Sequence, residues 1–405
     1  VADTDHIVLL PDPEPAEVRY TLISVDDHLV EPPHLFEGRM PAHLADRAPR
    51  VRTTSKGHEI WVFDGSAYPQ VGLNAVAGRS KDSSPMEAVR FDQMRRGCWD
   101  PAARVRDMDL GGIWASVNFP SQITGFCGSV YSACSDPELG LACVRAFNDW
   151  YRDEWVDPYP ERFVPIGITY LADPVAGAAE IRRNAERGFV AVSLPEQPQR
   201  LGYPSLHSSW WDPVVEACAE TGTVVCLHVG SSGITTEDLP VDGPLVEFTA
   251  TLFSSLSLHA CVDWLWSGYP LRFPELRIAM SEGGLGWVPM LADRLDYIHG
   301  VSGHGRRAWP SGADNPEGLT PTEVLLRNFW FCSLDDPSIW PIRDRIGVDH
   351  IMIEVDYPHA DSTWPDTQEF LVDRLRDLPV DEARKVTHLN AARLFRHPLP
   401  EVTVP

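Results

Sequence analysis

His350 to Pro365 reads H-I-M-I-E-V-D-Y-P-H-A-D-S-T-W-P. An apolar, β-branched run, Ile351 to Val355, stops at Asp356, and Pro358 and His359 follow. A short run of this kind bounded by turn residues predicts a buried strand. Pro358 has no N–H for a further ladder bond, so the strand ends before it. A carboxylate at the mouth of a buried parallel strand is where an α/β barrel carries its chemistry. A lone strand-end Asp more often caps the next turn. The weight of Asp356 therefore depends on whether other strands end in the same way.

Working outward, three do. Tyr20 to Val25 reads as the first buried strand and runs into Asp26, Asp27 and His28. Val224 to His228, in C-L-H-V-G-S-S-G, reads as the fifth, and Leu276 to Met280, followed by S-E-G-G, as the sixth. Between them, Trp114 to Phe119, Phe163 to Thr169, Phe189 to Leu194 and Asn328 to Cys332 read as strands two, three, four and seven. Helices are expected at Pro101–Leu110, Pro137–Val156, Pro174–Arg187, Pro213–Thr221, Leu245–Trp266, Trp287–Tyr297, Asp366–Leu378 and Asp381–Phe395. Strands alternating with helices in this way predict an α/β protein with a parallel sheet. A doubly wound sheet needs a Gly-rich phosphate turn after its first strand, and here D-D-H stands there. The expectation is a (β/α)8 TIM-like barrel forming a single domain over residues 1–405. Val1 to Val18 reads as an N-terminal arm. Glu31 to Trp99 reads as an insertion after the first strand, a lid or dimer arm holding a hairpin from Glu59 to Tyr68. Ile298 to Pro321 reads as a second insertion, before strand seven.

The formal net charge of -24 repels nucleic acid and anionic lipid, so neither is expected as a partner. The eight Cys form no C-x-x-C pair and lie mostly in apolar runs, which predicts reduced core thiols in a cytoplasmic protein. No run reaches membrane-spanning length. The 14 Trp are expected mainly in the core, with some in an aromatic pocket or a homo-oligomer, here dimer, interface.

The strand ends together suggest a metal site. Asp26 and His28 share one face at period two, and Asp27 points the other way. His228, Glu282 and Asp356 join them from strands five, six and eight. Imidazole and carboxylate together suit one divalent ion; Zn is the expected one, with Mn and Fe as alternatives. His359 is either a loop residue or an acid/base beside the site. Asn390 is expected to lock the last helix onto the barrel. Arg79, Arg95 and Arg96 read as surface residues that could instead pair a substrate carboxylate. His259 could face the mouth from the helix after strand five.

S-V-D-D-H-L-V-E-P-P, L-H-V-G-S-S-G, S-E-G-G-L-G-W-V-P and E-V-D-Y-P-H-A-D-S-T-W-P-D resemble the amidohydrolase-related family, in its branch close to aminocarboxymuconate-semialdehyde decarboxylase. The resemblance spans roughly Leu22 to Arg396. It implies a distorted barrel with one divalent metal at the C-terminal mouth, and a hydrolase or a non-oxidative decarboxylase. It puts metal ligands at Asp26, His28, His228 and Asp356. Two departures stand out. The first strand carries Asp26-x-His28 where relatives often have His-x-His, and Ser281-Glu282 replaces a His that relatives use as acid or base. The extra carboxylate weakens the ion as a Lewis acid and tilts preference towards harder ions such as Mn.

Two functions follow. The first is a metal-dependent hydrolase of a small organic substrate, with a metal-activated water and Asp356, Glu282 or His359 as acid/base. The alternative is a metal-dependent decarboxylase of an aromatic or unsaturated carboxylic acid. Loss of the sixth-strand His favours the hydrolase. A binding scaffold without metal is disfavoured by the four strand-end ligands.

Overall fold

The computed structural model describes residues 7, 9–80, 88–233, 244–301 and 309–404. Parts of the expected arm and of both expected insertions therefore lie outside the described residues. The strands are β1 (Ile23–His28), β2 (Arg50–Thr53), β3 (Glu59–Phe63), β4 (Ser66–Tyr68), β5 (Ala115–Phe119), β6 (Phe163–Val164), β7 (Ile166–Gly167), β8 (Ala191–Leu194), β9 (Val224–His228), β10 (Ile278–Ser281), β11 (Phe329–Ser333) and β12 (Ile351–Ile353). The helices are α1 (Pro101–Gly111), α2 (Gly125–Ser132), α3 (Pro137–Trp150), α4 (Pro174–Glu186), α5 (Asp212–Thr221), α6 (Leu245–Thr251), α7 (Phe253–Trp266), α8 (Tyr269–Arg272), α9 (Val288–Val301), α10 (Pro321–Asn328), α11 (Thr367–Leu375), α12 (Val380–Arg384) and α13 (Asn390–Phe395).

Three helices start alike. Asp100, Asp136 and Asp173 each precede a Pro and each accept a backbone N–H of the first turn, at 2.9, 3.1 and 2.8 Å for the nearest. The Asp satisfies an orphan donor, and the Pro pre-sets the helical φ. These caps fix where the chain leaves each loop and turns back along the barrel wall.

The barrel strands pair in parallel and in chain order: β1–β5–β6, then β7–β8–β9–β10–β11–β12. This is an α/β fold of the TIM-barrel type. Pro165, which has no N–H, separates β6 from β7, so the single expected third strand is two short ones in different sheets. At the other end, Asp356 N donates to Asp26 O (2.8 Å) and His28 N to Tyr357 O (2.6 Å). The chain after β12 is thereby stitched to β1. The strands carry a dense apolar core, Val225, Ile278, Phe331 and Met352 among it, each 2% exposed or less.

β2, β3 and β4 form a separate antiparallel sheet. The expected hairpin is present with one strand more than the sequence suggested. β1 begins and ends three residues later than expected, so Asp26 and His28 lie inside it and not beyond it. The expected long helix over Leu245–Trp266 is broken at Leu252. Thr251 Oγ1 bonds back to Glu247 O (2.7 Å) there, a contact that competes with regular helix. The helices expected to Val156 and through Asp381–Phe395 each contain a π turn, at Tyr151–Val156 and Lys385–Leu389. α2, α8 and α10 lie outside the helices expected from the sequence. α10 did carry its start signal, Thr320 and Glu323 in a capping box around Pro321. No helix among the described residues is long and apolar enough to cross a membrane. All eight Cys are free and buried.

Candidate functional site

β1 places Asp26 and His28 on one side. Asp27 turns the other way, where its Oδ1 accepts Tyr357 N (3.0 Å) and the Ser24 hydroxyl (3.1 Å). The same carboxylate that points away from the site thus ties β1 to the D-Y-P-H loop. Arg104 of α1, fully buried, donates to the carbonyls of His28 and Gly97 and lies 4.2 Å from the Tyr357 ring centre.

β9 delivers His228, in register with Ser281 of β10, so Glu282 follows directly beside it. Glu282 has φ 58° and Asp356 φ 59°, both in the region that L side chains avoid. Gly283 lets this turn press on α7, since a Cβ there would overlap Ser257. Two strand ends are thus bent so that their carboxylates face inward.

The inward atoms are close. His28 Nε2 lies 3.0 Å from His228 Nε2 and 3.3 Å from Asp356 Oδ1. Asp26 Oδ1 is 3.7 Å from His28 Nε2 and 3.5 Å from His228 Nε2. Glu282 Oε2 is 3.3 Å from His228 Nε2. His359 Nδ1 is 3.0 Å from Asp356 Oδ1, and its ring stacks on His28 with centres 3.9 Å apart. Three overlapping groups result: Asp26, His28 and His228; His28, Asp356 and His359; Glu282, Asp356 and Asp361.

Burial shapes the charges. It lowers His28 well below the ordinary histidine range and brings His228 down to about 4, so both rings are neutral with a lone pair to offer. His228 Nδ1 meets Val229 O at 2.6 Å, which leaves Nε2 as its inward lone pair. Burial, then Asp356, raises Asp26 and Glu282 well above the carboxylate range. Burial also acts to raise Asp356, but His359 and His28 outweigh it and hold that carboxyl low. His359 is raised because the Asp356 carboxylate outweighs its burial.

The donor set fits a cation. Both carboxylate oxygens of Asp26 are buried and have no hydrogen-bond partner, while Asp356 Oδ1 has the His359 and His28 ring nitrogens at 3.0 and 3.3 Å. Buried carboxylate oxygens without donors are costly unless an ion meets them. Two neutral imidazole nitrogens facing each other at 3.0 Å equally call for a proton or an ion between them.

All six residues expected at the site, Asp26, His28, His228, Glu282, Asp356 and His359, are brought together. The sequence reading missed Asp361 and Glu354. Glu354 could have been noticed as the one charge inside the apolar run I-M-I-E-V, since such a charge is rarely buried without a task. Arg79 and Arg95 are corrected: both are buried, not surface residues. Arg95 donates through Nη2 to both Asp107 and Asp12, each at 2.7 Å. Arg96 is exposed on Asp100, and His259 is exposed on α7. Asn390 Nδ2 donates to Val348 O (2.7 Å) and Ile351 O (2.8 Å), the locking role expected of it. Beside His359 opens a cavity of about 580 Å³ walled by Leu10, Pro11, Gly78 and Trp364, in the size range of small-molecule sites.

Fold and site define an α/β-barrel protein with a candidate metal centre at its strand ends. A family model described as amidohydrolase matches residues 39–397, and the chain belongs to that family. The match begins after β1, so Asp26 and His28 lie outside it. Among solved structures, an amidohydrolase of Mycobacterium avium subsp. paratuberculosis K-10 is 22% identical, with 95% of this chain and 100% of that one covered and a TM-score of 0.73. The 5-carboxyvanillate decarboxylase of Sphingomonas paucimobilis is 20% identical, with 94% and 100% covered and a TM-score of 0.63. A dihydroxybenzoic acid decarboxylase of Polaromonas sp. JS666, with bound manganese and the inhibitor 2-nitroresorcinol, is 17% identical, with 93% and 97% covered and a TM-score of 0.59. At these identities the likeness establishes the shared fold.

Proposed function

We propose that this protein is a metal-dependent non-oxidative decarboxylase of an aromatic or unsaturated carboxylic acid. The observation that carries the reading is Glu282. Its side chain is 11% exposed while those of Asp26 and Asp356 are fully buried, so of these carboxyls it alone reaches the mouth. Burial, then the carboxylates of Asp356, Asp26, Asp361 and Glu354, raise its pKa well above the ordinary carboxylate range and so favour its protonated form. A carboxyl whose protonated form is favoured in this way can serve as the proton donor that decarboxylation needs and that the missing sixth-strand His does not supply. Decarboxylases among the structures of the same fold support the reading.

Asp26, His28, His228 and Asp356 would hold the ion, and Glu282 stands beside them. Two carboxylates with two imidazoles suit a harder ion, so Mn is favoured over Zn. When bound, the ion supplies positive charge that orients the substrate's oxygen atoms. Glu282 then gives its proton to the carbon bearing the carboxylate. The bond from that carbon to the carboxylate breaks, its electron pair returns to the conjugated system, and carbon dioxide leaves. Solvent returns a proton to Glu282. His359, stacked on His28, keeps the Asp356 carboxylate ionised and aimed at the site.

Hydrolysis, the main expectation from sequence, has weaker support. It asks Asp356 to accept a proton, and a carboxyl held as low as this one is a poor base. The test uses aromatic and unsaturated acids in deuterated, oxygen-18-labelled water. One carbon dioxide per turnover and a solvent deuterium on carbon are expected. Oxygen-18 in the organic product without carbon dioxide would establish hydrolysis instead. Glu282→Gln should keep its metal and lose about 10²–10⁴-fold in turnover.

A further inference from the structure

We propose that Phe126 is the specificity-determining wall of this site, held over the two histidines by Glu31. The Phe126 ring lies 5.6 Å from the His28 ring, edge to face, and 4.8 Å from the His228 ring at 32°. The residue is half-buried.

Its backbone is strained. Phe126 has φ 58° and ψ -43°, a combination closed to most L residues. It sits between Gly125 (φ 69°) and Gly128 (φ 87°), and a Cβ on Gly128 would stand 2.8 Å from Thr169 O. Strain of this sort persists only where the surroundings over-determine it, and it gathers at ligand clamps.

The surroundings here are a buried carboxylate and a short turn. Glu31, fully buried, accepts Ser121 N at 3.0 Å and the Ser121 hydroxyl. Ser121 O in turn accepts Gly125 N (3.0 Å) and Phe126 N (3.4 Å). A residue of the segment after β1 therefore sets the position of an aromatic ring at the kinked start of α2, which follows β5. Packing alone would not need the strained φ, because an ordinary turn could bury a Phe.

An aromatic face beside the metal-ligand residues favours a flat partner, through offset or edge contacts that a puckered ring makes poorly. The inference rests on the decarboxylase reading only in taking the ligand to be a planar carboxylic acid.

The test compares benzoate with cyclohexanecarboxylate, which share a carboxylate and ring size but differ in planarity. Binding to protein purified without chelator is read by calorimetry. Wild type should prefer benzoate. Phe126→Leu should weaken benzoate about three- to tenfold, leave cyclohexanecarboxylate unchanged and keep full metal content. Phe126→Tyr should restore the preference. A purely structural role would weaken both probes together or lower the metal content, and either result overturns the inference. So does an unchanged ratio in Phe126→Leu, or a wild type without preference for benzoate. A wild type that prefers benzoate yet releases carbon dioxide from no acid would refute the function proposed above and leave this inference standing.

Discussion

Glu354 Oε2 accepts the backbone N–H of Glu282 at 3.1 Å. One buried acid of the β12 segment thus holds the peptide of another, and that peptide is in the left-handed region. Removing the acceptor leaves the N–H unpaired and the Glu282 side chain free to swing. Glu354→Ala should retain metal and lose about 10²-fold in turnover, the scale of a displacement near 1 Å. Glu354→Gln keeps an acceptor oxygen and should lose far less. Equal losses in the two variants would show that the contact does not position Glu282.

His228 is expected to be the ligand whose loss shows most plainly in metal content. Its Nδ1 is committed to Val229 O, so only Nε2 faces the site. Elemental analysis of protein purified without chelator should find about one divalent ion per chain. His228→Ala should fall well below that, since truncation removes a nitrogen no neighbour replaces. Full metal in His228→Ala would place the ion elsewhere in the acidic cluster.

Much of the site was legible because its residues sit at strand ends, where an abrupt polar residue after an apolar run is visible. Val224–His228 has the bounds the sequence predicts, and the apolar run from Ile351 leads Asp356 to the mouth. The helix starts expected at Pro101, Pro137 and Pro174 are the observed ones. What stayed hidden depends on long-range packing. The burial of Arg95 follows from Asp107 and Asp12, distant in sequence, so its charge alone looked like surface. Asp361 matters only because its loop folds back on Asp356 and Glu282. Phe126 matters only because β5 lies beside β1. The break at Leu252 and the π turns arise from local hydrogen bonds that periodicity does not report.

Arg104 is expected to be the costliest single side chain to remove outside the ligand set. It is fully buried, and its charge partly offsets the burial that pushes Asp27 up to about 7. Arg104→Met fills the volume but strands Asp27 and the His28 carbonyl. Breaking a buried charge arrangement from one side typically costs about 3–5 kcal/mol. Urea denaturation should show a loss of that order, and a loss below about 1 kcal/mol would mean that Asp27 stays neutral without Arg104.

The pH dependence of stability should carry a contribution from Glu196. It lies just after β8, 4% exposed, with Oε2 accepting Gly230 N at 2.9 Å and Oε1 without a partner. Burial raises its pKa from 4.5 to about 7, against the opposing hydrogen bond from Gly230. Folding therefore tightens its hold on the proton, and between those two values the native chain binds more protons than the unfolded chain. Stability from this group is full below the unfolded pKa and is lost as pH rises through the folded one. The loss amounts to about 3 kcal/mol, at about 1.36 kcal/mol per pKa unit. Glu196→Gln cannot ionise and can still accept Gly230 N through its amide oxygen. Its stability relative to wild type should rise between pH 4.5 and pH 8.5 by an amount of that order, read from urea midpoints across the range. A difference that stays flat with pH would show that Glu196 titrates normally in the folded chain.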